Sequence, residues 1–178
     1  MKKHLLFLAL IILTVSCTED NALQSNSTNS IARYSCAPEV IDINAGQNYL
    51  SGNVTIGNNS DFLYVDYNAN ENWHFTELHL YVGPLSGAPQ KNGNPIPGQF
   101  PYKVTFNQLT SNYTFEIPMA NVQKDANGCF VVAAHSSMRK TNGNGSIIQT
   151  ETGWAGYDDF SGNNWARYFN YCTCTVIK

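Results

Sequence analysis

The chain has 178 residues, 43% of them hydrophobic and 12% aromatic, with a formal net charge of −3. That length suits one domain with one core, and the aromatic content excludes a wholly disordered chain. Beyond the first three positions the basic residues are scattered, with Arg139-Lys140 the only adjacent pair, which excludes a nucleic-acid partner because that needs clustered Lys and Arg.

The N-terminus reads as a targeting segment. Lys2 and Lys3 precede an apolar run from Leu5 to Val15. As a helix that run measures about 16 Å, too short for roughly 30 Å of hydrocarbon, and a short apolar run after a basic start is a secretory signal. The run ends in "LTVSC", which resembles the lipobox of bacterial lipoproteins, with Leu13 one place early and Thr14 in its usual position. The resemblance implies cleavage before Cys17 and acylation of Cys17. Without residues 1–16 the chain carries 10 − 2 = 8 basic and 13 acidic side chains, a net charge of −5. Glu19 and Asp20 follow at once, and an acidic pair there resembles the surface-export signal of Bacteroidota lipoproteins; the 22 asparagines fit that source. The implied place is the outer membrane, lipid-anchored and facing the exterior. Residues 18–33, "TEDNALQSNSTNSIAR", are polar and lack apolar periodicity, so they read as a tether reaching roughly 20–25 Å. The expected organisation is a signal peptide over 1–16, a lipidated tether over 17–34 and a β domain over 35–178.

No helical pattern of useful length follows. Short β-rich runs recur between Gly, Asn and Pro: 39–43, 53–57 and 61–67, the last two joined as a hairpin, then 73–83. In "WHFTELHLYVG" strict alternation puts Leu78, Leu80 and Val82 on one face and Trp73, Phe75, Glu77, His79 and Tyr81 on the other. Residues 83–101 form a long connection holding five of the seven prolines. It is expected to be an ordered excursion with Phe100 anchoring its end. Further runs lie at 102–109, 113–117, 129–137, 146–154 and 166–177. About nine strands at this spacing predict an all-β fold, a single β-sandwich or jelly-roll-like domain.

Four cysteines remain in the domain: Cys36, Cys129, Cys172 and Cys174. An even count in an exported chain predicts two disulfides. Cys172 and Cys174 share a strand face and a bond between them would be strained, so each is expected to bond one of Cys36 and Cys129. Zinc is the alternative, but no C-x₂-C pair is present and "CTC" is a poor zinc spacing.

Chemistry is harder to place. His135 precedes Ser136 and Ser137, but strand neighbours face opposite sides and no nucleophile elbow occurs. His79 and Glu77 share a strand face and could share an ion. Asp158 and Asp159, with Asn163 and Asn164 in a Gly-containing loop, are the candidate calcium ligands, although the spacing is no EF-hand. Glycosidase chemistry needs two carboxylic groups across a cleft, and Glu77, Glu116 and Glu151 are available without any pairing visible. Carbohydrate binding needs flat exposed rings beside amides. Trp154, Tyr157, Trp165 and Tyr168 flank the acidic loop and supply the rings. The candidate ligand-binding set is Trp154, Tyr157, Asp158, Asp159, Asn163, Asn164 and Trp165, weighed against the alternative that such rings fill the core.

The stretches "HLYVGPLSGAPQKNGNPIPGQFPYK" (79–103) and "ETGWAGYDDFSGNNWARYFNY" (151–171) together resemble an uncharacterised family of secreted β-rich proteins. In that family a GNP-PG-FPY loop precedes an ETAW-G--F-G-NWA-YF segment; here Gly153 stands where Ala is usual. The resemblance implies a secreted β module and carries over no catalytic residue. The expected role is non-catalytic binding of a glycan or a cell-surface protein, with a glycan hydrolase or an envelope assembly component as alternatives.

Overall fold

The computed structural model describes residues 33–174. The signal, most of the tether and Cys17 lie outside the described residues.

The domain is all-β. Its strands are β1 (Glu39–Ala45), β2 (Tyr49–Asn58), β3 (Phe62–Ala69), β4 (Trp73–Gly83), β5 (Gln90–Lys91), β6 (Asn94–Pro95), β7 (Tyr102–Thr110), β8 (Asn112–Pro118), β9 (Cys129–Thr141), β10 (Ile147–Ala155), β11 (Asp158–Asp159) and β12 (Arg167–Cys172). All nine expected runs are strands. The extra three are two-residue pairings, too short to leave a periodic signal.

One large antiparallel sheet holds ten of these strands, and β5 pairs with β6 separately. The nearly continuous apolar run of β9 makes it the central strand. One edge of β9 pairs with β4, and its other edge is shared by β10 and β12. From β10 the sheet continues through β1, β2 and β3 to β8, and from β4 to β7. The end strands β7 and β8 are consecutive in the chain, and their side chains meet, with Phe106 5.4 Å from Tyr113 between ring centroids. The sheet therefore curls nearly closed, like a sandwich or barrel.

Inside lies the main core, with Tyr67, Phe75, Leu78, Leu80, Val132 and Phe169 at its centre. One expectation about β4 is corrected. A bulge at Thr76 shifts the register against both β7 and β9. The bulge reverses the alternation, so Trp73 and Phe75 join Leu78, Leu80 and Val82 in the interior. The outer face begins only at Glu77.

A second core covers that outer face. Tyr81, Phe100, Ala133, Trp154, Phe160 and Ala166 pack together there. Phe100, 1% exposed, pins the proline-rich connection as expected. The two long motif stretches also touch: Gly162 N–H donates to Gly93 O, and Asn164 N–H to Asn94 Oδ1. A Cβ on Gly162 would lie 2.3 Å from Asn94 Oδ1, so this contact requires glycine.

As expected, Cys172 and Cys174 each bond one of the other two cysteines, and the structure gives the pairing: Cys36 to Cys174 and Cys129 to Cys172. The second crosslinks β9 and β12 directly. The first ties the domain's two ends. Beside it, Arg33 and Tyr34, read from sequence as the end of the tether, are docked on the domain. Both donate to Asp66 Oδ2, and Thr114 donates to Asp66 Oδ1 at 2.5 Å. Burial and Asp66 push the Tyr34 phenol up to about 12, which keeps it a donor. The aromatic side chain in an otherwise Ser/Asn-rich stretch was the signal for this anchor.

Candidate functional site

Two hollows meet on the outer face of β1. The alternation of this strand turns Ile43 and Ala45 inward and Val40, Asp42 and Asn44 outward. β10 reaches only Ile43–Ala45 before turning away at Gly156, and this leaves the first half of β1 with a sheet partner on one side alone. A hollow of about 410 Å³ opens there, lined by Val40, Asp42, Asn44 and Tyr157 among others. A second, of about 230 Å³, lies on the other side of Asn44, lined by Gln47, Asn48, Trp165 and Arg167. The two meet at Asn44, which lines both, and the groove they make holds an aromatic ring in each half, two further amides and a guanidinium beside Trp165, and one carboxylate beside Tyr157.

Of the residues singled out from sequence, Tyr157 is 57% exposed and Trp165 is half-buried, and both line the groove. Trp154 does not. It is 5% exposed, closed in by His135 at 4.7 Å, Phe160 at 6.2 Å and Phe100 at 6.4 Å between ring centroids. Its ring is therefore core, and the expectation of a stacking platform there is corrected. Asp158 accepts from Asn170 at 3.1 Å, and Asp159 pairs with Arg167 Nε at 3.3 Å. Their carboxylates are engaged by different partners and do not converge. Asn164 shapes its own turn by accepting from Ala166 N–H, while Asn163 is exposed beside it.

Sequence reasoning missed Asn44, Gln47, Asn48 and Arg167. The first three belong to "NAGQN", the hairpin turn between β1 and β2. Asn48 N–H donates to Ala45 O, and Gly46 and Gln47 both hold positive φ, at 53° and 70°. Two such central residues make a type I′ turn. The Gly followed by two amide side chains was a turn signal that went unread.

Beneath the second core lies a buried polar chain. β4 and β9 place His79 opposite His135, and their Nδ1 atoms are 3.2 Å apart. His79 Nε2 is 3.1 Å from Glu77 Oε1. Donor counting fixes the protons when both rings are neutral: His79 carries its proton on Nε2 for Glu77, and His135 donates from Nδ1 to His79. Burial, with His79 alongside, holds the His135 imidazole down at about 3. Burial also lowers His79, with Lys103 adding to the effect and Glu77 opposing it. Glu77 and His79, which from sequence could share an ion, are in direct contact. Among the described residues no group of three or more His, Cys, Asp or Glu side chains is arranged to hold a metal ion.

A further hollow, about 450 Å³, lies around Arg33, Asp66 and Thr114. Asp66 at its base already accepts from three donors, so it serves the anchor described above. The chain matches no protein-family model, no curated protein and no solved structure, and the site is therefore read from its own geometry.

Proposed function

We propose that this protein is a surface lipoprotein whose β domain binds glycans without catalysis, through the groove centred on Asn44. One observation carries the reading: Tyr157 and Trp165 line two hollows that share Asn44, and the Trp165 hollow adds the amides of Gln47 and Asn48. Flat rings beside amides suit the apolar faces and hydroxyls of sugars. Asp42 is the one carboxylate among the lining residues, which leaves the two-carboxylate chemistry of glycosidases without its pair in this groove. Calcium plays no part in the reading, because Asp158 and Asp159 are engaged elsewhere.

A glycan array tests this. Wild-type protein is expected to bind a subset of glycans, with Trp165→Ala and Tyr157→Ala each weakening binding about fivefold, since stacked rings contribute on the order of 1 kcal/mol. Trp154→Phe, a change inside the second core, should leave the array pattern intact. Silence across the array would refute the reading.

The anchor is part of the same proposal. It follows from the resemblance of "LTVSC" and "CTED" to a lipobox and an export signal, and it places the domain on the outer membrane, facing outward. Cys17→Ser is expected to move the protein from the membrane to the soluble fraction on cell fractionation. Unchanged membrane association would refute lipidation at Cys17.

An assembly role is the second reading, favoured by one feature. β10 pairs with β1 only through its last three residues. Ile147 and Ile148, 48% and 59% exposed, lie on the rest of that edge, and an open edge with apolar side chains is a pairing site for another strand.

A further inference from the structure

We infer that the half of the groove around Trp165 is a subsite for an anionic sugar, one bearing a carboxylate or sulfate group, with Arg167 as its anchor and Gln47 as a positioning donor. This rests on the glycan-binding reading and adds the chemical class of the ligand. Arg167 is the one cationic side chain among the residues lining this hollow, and it stands beside Trp165 and three amides. Its Nε faces Asp159 at 3.3 Å, in a pair whose acidic side chain is 67% exposed. Among the described residues no other hydrogen bond engages the guanidinium, so its two terminal nitrogens are left as a fork. A planar fork of N–H donors matches a carboxylate or sulfate through two parallel bonds. The Asp159 contact lies at Nε, away from the two terminal nitrogens, and as an exposed pair it contributes little. A hollow of about 230 Å³ lies below the roughly 300–1,000 Å³ of drug-sized ligand pockets and suits one sugar ring rather than a chain.

Gln47 supports the same assignment from the backbone. It occupies the second central position of a type I′ turn, where glycine is the favoured residue. Its φ of 70° is strained for a residue with a Cβ. The turn bond from Asn48 N–H to Ala45 O holds this angle, while the Gln47 side chain is exposed and makes no hydrogen bond among the described residues. Non-glycine residues held at such angles cluster at ligand sites. Here the amide lines the hollow that Arg167 shares.

The test uses two matched pairs of probes: polygalacturonate against its fully methyl-esterified form, and dextran sulfate against dextran. Binding of the full domain is measured at fixed salt. The expected result is at least a tenfold preference for the charged member of one pair, and the pair that shows it tells carboxylate from sulfate. Arg167→Met should abolish that preference, and Arg167→Lys, which keeps the charge without the fork, should lose most of it. Gln47→Gly should weaken binding of the charged probe while raising Tm, an outcome that a merely structural residue would not give. Equal affinity within both pairs, or a preference unchanged in Arg167→Met, would overturn the anionic subsite and leave glycan binding standing. Binding to none of the four probes would also overturn it. Only silence on the glycan array as well removes the reading beneath it.

Discussion

Replacing Cys36 and Cys174 together by serine lowers the unfolding free energy by about 4–5 kcal/mol in urea titrations under non-reducing conditions. The bond closes a loop of sequence separation 138, nearly the whole described domain, and the loop-closure entropy removed from the unfolded chain grows with loop length. The consequences in the folded state are local but connected. Cys174 sits against Asn58, which accepts from Cys174 N–H at 3.1 Å and from Tyr171 Oη–H at 2.8 Å, and donates to Cys174 O at 3.2 Å. Next to Cys36, Tyr34 packs so closely on β2 that a Cβ on Gly57 would lie 2.5 Å from its ring. Reduction therefore loosens both the C-terminal strand and the point where the tether leaves the domain. The Cys129–Cys172 bond, with a separation of 43, contributes less by the same argument. A loss below about 1 kcal/mol for the Cys36/Cys174 variant would show that the two ends are held without the bond.

Acid destabilises the domain through His135, by about 2 kcal/mol between pH 7.5 and pH 5. The folded value of about 3 lies below the ordinary histidine value near 6.5. As pH falls, the unfolded chain takes up this proton first. Between about pH 6.5 and pH 3 the unfolded state binds more protons, and linkage then requires stability to fall with pH. The contribution is complete above pH 6.5 and lost progressively down to pH 3. The charged and titratable groups facing the pair are Glu77 on β4 and Lys103 on β7; Trp154 covers His135 from β10. A His135→Gln variant keeps a polar group in place but has nothing to titrate, so it should lose much less stability between the two pH values. Identical pH slopes in urea unfolding of both proteins would contradict this account.

How much of this was legible in the sequence depended on distance along the chain. Strand signals are local, whether alternation or, for β9, a continuous apolar run, and all nine runs were readable from them. The bulge at Thr76 was not, because a single extra residue leaves the composition of "WHFTELHLYVG" unchanged while reversing which side each ring faces. Cysteine pairing was legible in part: the two-residue spacing of Cys172 and Cys174 excludes a bond between them but does not say which of the two joins Cys36. Trp154 and Trp165 lie eleven positions apart in one motif, and nothing local separates them. What separates them is that Phe100, brought in by the proline-rich connection, and His135, on the neighbouring strand, enclose one ring and leave the other half-open. The histidine pair illustrates the same limit. His79 and His135 are 56 positions apart, and only the β4–β9 register makes them neighbours.

Mapping the contact surface by amide and indole NMR shifts, with the tightest-binding glycan from the array, tests the central claim most directly. The account predicts shifts concentrated on Asn44, Gln47, Asn48, Tyr157, Arg167 and the Trp165 indole N–H, with Trp154 unmoved. Shifts confined to the Arg33–Asp66 hollow or to the open edge of β10 would contradict it.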